Sequence, residues 1–288
     1  MTSLRPLALL CLLAPPCVCR ANAQGASLKP EAAVPGAVLV ASFRLADGRK
    51  PVEIRASFRG NRPVFQPARQ EYVALVPVPA SAPAGKTPFY FKVRFGSGGD
   101  YSEVLYATVL ARAFPEQHLK MPASKTGLMN SELLRKEREL LYAAFEKCSP
   151  TRQWTGAFAL PISGRESSPW GRKRYVNGKW WGQHQGVDIA AGTGTPVASD
   201  AAGTVVLAQR LEMRGNTVVV DHGRGLFSAY NHLSWIDVAV GQSVKQGQGL
   251  GAVGATGFVT GAHLHWEARI GRTPVDPMLL VQQPLPLP

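Results

Sequence analysis

Histidine is scarce in this chain, and so are cysteine and methionine: 288 residues hold 6, 4 and 5 of them. Cys11, Cys17 and Cys19 fall within the first 23 residues, so a chain that loses that segment keeps Cys148 alone and has no intramolecular disulfide. Cys17-x-Cys19 is for the same reason no metal site. Acidic residues are few, 19 against 32 Lys and Arg, a formal net charge of +13. Without Arg5 and Arg20 the balance is 30 against 19, or +11. The basic residues are dispersed, with no basic motif or arginine-rich helix, which argues against nucleic acid as a partner. Attraction to an anionic wall or membrane surface fits the charge better. No apolar run reaches the roughly 20 residues that a spanning helix requires.

What is present begins with a short basic start, Met1–Arg5, an apolar run from Leu7 to Leu13, and small residues at Ala21-Asn22-Ala23. This reads as a signal peptide over residues 1–23, removed after Ala23. The expected location is secreted, periplasmic or cell-envelope. A lipoprotein signal is the alternative, but neither Cys17 nor Cys19 follows the small residues it needs, so no stable membrane anchor is expected.

Glycine (29) and proline (23) are plentiful and helical patterns few, which predicts a mainly all-β chain. Residues 24–115 read as an accessory domain of short strands. Val38–Arg44, Val52–Ala56, Tyr72–Val78 and Phe89–Phe95 are β-rich, and Asp47-Gly48, Gly60-Asn61 and Gly96–Asp100 are turns. That spacing suggests an immunoglobulin-like β-sandwich. It holds no histidine and no visible catalytic cluster. Residues 116–157 are a connector and a linking helix. His118 reads as a surface residue. Over 131–145 an apolar stripe of Leu133, Leu134, Leu140, Leu141, Ala144 and Phe145 predicts a helix with Ser131 as N-cap, packing the two domains together. Residues 158–288 read as strands almost throughout. Ser167–Trp181, rich in aromatic and basic residues, is a candidate rim for a groove.

Four of the six histidines fall in three stretches: His184-Gln185-Gly186-Val187-Asp188, Tyr230-Asn231-His232-Leu233-Ser234 and His263-Leu264-His265. His222, between two strand-like runs, reads as a structural turn residue. Around His263 the sequence alternates, and positions i and i+2 of a strand share a face with Cα atoms roughly 6.5–7 Å apart. One imidazole can then bind a metal while the other reaches water or substrate. His184 and Asp188 would lie about 13 Å apart on a straight strand, too far to share an ion. Gly186 permits the bend that brings them together. Two histidines and an aspartate form a donor set that leaves the fourth position of a catalytic zinc open. Alone, H-x-H can be a polar sheet face and H-x-G-x-D an ordinary turn. Together and in this order, with Tyr-x-His-Leu between them, they point to a zinc hydrolase.

The same stretches, with Pro161–Arg165, Gly192–Val197, Gly215–Gly223, Gly241–Gln248 and Gly254–Gly257, resemble the lysostaphin-type (LytM-like) zinc metallopeptidases. These cleave peptide cross-links of bacterial peptidoglycan. The likeness runs over roughly residues 158–278. It implies a β-sheet groove domain in which His184, Asp188 and His265 bind one Zn2+ and His232 and His263 form the catalytic pair. Which of the pair is the general base stays open. Peptidoglycan is the implied substrate, a D,D-endopeptidase the favoured activity, and a monomer the expected state. The alternative is a non-catalytic wall-binding protein or amidase activator of the same fold, although such a chain would be expected to have lost ligands. A biotinyl/lipoyl-type carrier has a similar glycine-and-valine rhythm, but Lys245 is not in the tight hairpin that it requires. Residues 114–130 are also candidates to cover the groove in a latent form.

Overall fold

The computed structural model describes residues 25–45, 49–122 and 130–287; the signal-like segment 1–23 and the Asp47-Gly48 turn lie outside them. Eight strands come first: β1 (Gly25–Lys29), β2 (Ala32–Ala33), β3 (Val38–Arg44), β4 (Pro51–Ser57), β5 (Gln66–Ala68), β6 (Glu71–Pro77), β7 (Gly85–Phe95) and β8 (Tyr101–Val109). They form two four-stranded sheets, β1-β3-β6-β5 and β2-β8-β7-β4. A core of Leu39, Phe43, Phe58, Val76, Phe89, Phe91 and Val93 lies between them. β7 alternates strictly: Phe89, Phe91 and Val93 point inward while Tyr90, Lys92 and Arg94 face solvent. β3 does not alternate. Leu39, Ala41 and Phe43 fill the sandwich, while Val38 and Val40 pack with Trp154, Phe158, Leu226, Ala268 and Val275 on the other side. A strand buried on both faces reads as a continuous apolar run.

Next come β9 (Glu116–Leu119), α1 (Ser131–Phe145), β10 (Arg165–Ser168), β11 (Lys173–Val176), β12 (Lys179–Gln183), β13 (Val187–Ala190) and β14 (Pro196–Ala198). The chain continues through β15 (Gly203–Leu211), β16 (Gly215–Gly223), β17 (Leu226–Ile236), β18 (Ser243–Val244), β19 (Gly249–Val253), β20 (His263–Ile270), β21 (Thr273–Val275) and α2 (Pro277–Gln282). The main sheet runs β10-β13-β20-β17-β16-β15-β18, and a small sheet runs β12-β11-β9.

Three details differ from the sequence reading. The N-cap of α1 is Asn130, whose Oδ1 accepts the Glu132 N–H at 2.8 Å; both neighbours are good capping residues, and Asn130 holds the extended backbone that a cap needs. The helix does not join the two domains. Leu141, Ala144 and Phe145 pack on Val206, Leu207, Leu211, Val219 and Phe227 of the main sheet, and the outer face of β3 and β6 makes the contact between sandwich and sheet instead. His222 is a buried residue of β16 and not of the turn, where Arg224 takes the left-handed conformation at φ 56°.

Candidate metal centre

β13, β20 and β17 lie side by side, with Asp188 opposite His265 and Asn231 opposite His265 from the other side. On β20 the two-residue period puts His263, His265 and Glu267 on one face and Leu264 and Trp266 on the other. By the same period His232 would share the face of Ser228 and Tyr230. It does not, because β17 is bulged there: Asn216 pairs with Leu233 while Val218 pairs with Tyr230. The extra residue places His232 at φ 65°, and its ring lies 5.1 Å from that of His263 and 5.9 Å from that of His265. Bulges beside active sites commonly re-aim one side chain in this way.

His184 precedes β13, held by backbone hydrogen bonds with Gly171 and Arg172, each 2.8 Å. Gly186 is required for a reason other than the expected bend. It is not among the left-handed glycines, but a Cβ there would lie 2.3 Å from the Trp266 carbonyl oxygen. The glycine lets the chain press against β20.

These elements bring three donor atoms together. His184 Nε2 is 3.0 Å from Asp188 Oδ1 and 2.9 Å from His265 Nδ1, and His265 Nδ1 is 2.7 Å from Asp188 Oδ1. The opposite ring nitrogens face acceptors, the Pro169 carbonyl at 2.9 Å for His184 Nδ1 and Glu267 Oε1 at 3.0 Å for His265 Nε2. In neutral rings the protons therefore sit on those outer nitrogens, and two lone pairs and a carboxylate converge. Such an arrangement calls for a cation. Burial by itself lowers the His265 pKa, yet the carboxylates on its two sides raise it above the usual histidine value, the same demand expressed through a proton. A divalent metal ion satisfies all three donors at once. The outer hydrogen bonds fix tautomer and ring orientation as they do for metal-binding histidines generally.

His232 and His263 are organised differently. Each directs Nδ1 to a carbonyl at 2.9 Å, Thr256 for the first and Gly261 for the second, leaving Nε2 as a free acceptor in the neutral ring. Burial lowers the pKa of both, His232 well below the usual value, and pushes His184 down to about 4. Three of the four imidazoles are therefore neutral near pH 7. The cluster opens into a cleft of about 720 Å³.

Three contributors went unseen in the sequence. Arg174 on β11 pairs with Asp188 Oδ2, and also donates to Ser168 Oγ and Gln117 Oε1, each at 3.1 Å. Gln117 arrives because β9 pairs in parallel with β11; no local pattern announces that. Gln117, Leu119 and Met121 line one wall of the cleft, with Leu134 and Arg138 of α1, so the connector contributes to the site; residues 123–129 lie outside the described ones. Glu267 is the third, and its place two residues after His265 was the signal that could have found it. In the expected rim, Trp170 is buried against Phe114, while Trp181 does face the cleft, near Phe258. His118 is exposed and stacks on Tyr175 at 4.8 Å.

Comparison with known proteins places this geometry. Residues 182–277 match the model of peptidase family M23. A solved structure from Pseudomonas aeruginosa assigned to peptidase M23 is 30% identical, with a TM-score of 0.61, over 86% of this chain and 94% of that one. The chain belongs to peptidase family M23. Among curated relatives, DD-carboxypeptidase/endopeptidase Mpg of Neisseria meningitidis is 42% identical over 114 residues, 40% of this chain and 26% of Mpg. Peptidoglycan DD-endopeptidase ShyA of Vibrio cholerae is 44% identical over 95 residues, 33% of this chain and 22% of ShyA. The matched stretch thus spans about a quarter of the length of these curated relatives. M23 peptidases use zinc, and the His-Asp-His donors fit one Zn2+. No described helix is long and apolar enough to cross a membrane.

Proposed function

We propose that the protein is an exported zinc metalloendopeptidase that hydrolyses peptide cross-links of bacterial peptidoglycan, with the D-alanyl-diaminopimelate bond as its target. The observation that carries this reading is the convergence of three acceptor atoms beside two neutral imidazoles in an open cleft. His184, Asp188 and His265 hold the metal. Zinc supplies Lewis acidity, which makes water a nucleophile near neutral pH and polarises a carbonyl. Arg174 takes one oxygen of Asp188 and leaves the other for the metal. The nucleophile's proton goes to Nε2 of His232 or His263, whichever lies nearer to it, and that ring, once charged, becomes the donor for the leaving amine. The other imidazole orients the substrate carbonyl. An extended peptide can pair with strand edges along a β groove. The names of Mpg and ShyA support the D,D bond. Residues 24–115 act in this reading as an accessory sandwich, 116–157 as connector and helix, and 158–288 as the peptidase domain, in a monomer of the cell envelope.

The test is digestion of purified diaminopimelate-type sacculi by the mature protein with and without chelator, with Asp188→Ala as control and products read by mass spectrometry. Loss of cross-linked dimers that chelator and substitution both abolish is the expected result. Zinc binding without any product would move the reading to another bridge chemistry, and no zinc binding at all to the activator class.

A further inference from the structure

Arg214 sits in the turn between β15 and β16 and touches both halves of the metal centre. Its guanidinium pairs with Glu267 Oε1, the atom that also accepts from His265 Nε2 at 3.0 Å. Its carbonyl oxygen accepts the N–H of His232 at 2.9 Å, at the residue whose left-handed backbone turns that side chain toward the site. The turn itself is clamped. The Met213 N–H donates to Glu137 Oε1 of α1 at 2.6 Å, and the Met213 carbonyl accepts the Phe258 N–H at 2.8 Å. A Cβ on Gly215 would lie 2.2 Å from Thr256 Oγ1, and the carbonyl of that threonine holds His232 Nδ1. Glu137 is buried, and its helix lies outside the stretch matched to M23.

We propose that Arg214 is a positioning residue that fixes the metal-binding His265 through its side chain and His232, one member of the catalytic pair, through its main chain, from a turn that α1 anchors. The inference rests on the proposed function for its catalytic arm and on the donor set alone for its metal arm. The two connections run through different atoms, so they separate on substitution. Truncating the side chain leaves Glu267 held by Arg269 alone, at Oε2 and 2.6 Å, and takes the guanidinium away from Oε1, the oxygen that orients His265. Removing the Glu137 carboxylate leaves the Met213 N–H without its acceptor and shifts the carbonyl that holds His232.

The test uses the mature full chain of wild type, Arg214→Ala, Arg214→Lys and Glu137→Ala. Zinc affinity is measured by competition with a chromophoric chelator, and kcat and KM with a purified cross-linked muropeptide dimer at saturating zinc. Arg214→Ala is expected to weaken zinc binding about 10- to 100-fold, the range for loss of a group that orients a ligand, with Arg214→Lys recovering most of it. Glu137→Ala is expected to lower kcat about tenfold with KM and zinc affinity unchanged. Arg214→Ala that melts earlier but binds zinc like wild type would overturn the proposal, as would equal kcat in Glu137→Ala. Should Arg214→Ala not fold, Arg214→Lys against Arg214→Gln gives the same comparison. A wild type that binds zinc and cleaves nothing defeats the proposed function, and the affinity arm still decides Arg214.

Discussion

The main sheet carries a cluster of buried polar side chains on each of its two faces. On one face His184, Asp188 and His265 bring three acceptors together. On the other, Asp200 accepts from Tyr230 Oη at 2.7 Å, Ser228 Oγ at 2.5 Å and Trp266 Nε1 at 2.9 Å, and His222 lies 3.3 Å away. Both contain histidine and aspartate and both are buried. They differ in their balance of donors and acceptors. Around Asp200 donors answer the acceptor, and the cluster is sealed within the protein. Around Asp188 the acceptors are in excess and the cleft is open. A balanced polar cluster locks a fold, whereas an unbalanced one is kept for a ligand. Residue types alone do not distinguish the two.

The largest expected contrast comes from Asp188→Ala against Asp200→Ala, followed by thermal unfolding with and without zinc and by cross-link cleavage. Asp188→Ala should cut cleavage by on the order of 10³-fold or more, as loss of one member of a catalytic constellation does. It should also erase the stabilisation by zinc, which at a hundredfold excess over Kd amounts to about 2.7 kcal/mol in a competent protein. Asp200→Ala should do the reverse. It strands buried donors, each of which costs about 1–3 kcal/mol when left unpaired, while the shift on adding zinc persists. If Asp200→Ala abolished the zinc shift and left zinc-free stability intact, the division between the two faces would be wrong.

How much of this was legible follows from which contacts are local. The period of two on β20 exposed His263 and His265 as a pair, and the apolar stripe of α1 gave the helix over 131–145. Alternation alone would have sent His232 to the Asp200 side with Tyr230; only the bulge opposite Asn216–Val218 reverses it. The resemblance supplied His232 where spacing could not. Gln117 reaches Arg174, the partner of Asp188, through a parallel pairing of β9 with β11, between stretches with no shared motif. The docking of α1 was misread because its stripe states that one face is buried but not against what. For β3 the run Val38–Arg44 carried the answer unread: apolar residues on both faces mean cover on both sides.

A smaller effect sharpens the sealed side. Tyr230→Phe removes one donor to Asp200 and leaves the ring in place, for a loss of about 1–3 kcal/mol. Zinc affinity should stay at the wild-type value, because Tyr230 and His265 face opposite sides of the sheet. A weakened zinc affinity in this variant would mean that the two faces communicate through β17.

Cys148 offers the least disruptive probe of the same boundary. Burial first, and the neighbouring Asp221 second, push its pKa up to about 11, and its sulfur accepts the Gly225 N–H at 2.9 Å. At pH 8 the thiolate fraction is then about two orders of magnitude below that of a free thiol of pKa about 8.5. Iodoacetamide should therefore label the native protein about 100-fold more slowly than the denatured one, with no change on adding zinc. Rapid native labelling would show that the β16–β17 turn opens to solvent. Labelling that slowed with zinc would tie that opening to the metal centre, through the strands that carry His232 and Asp221.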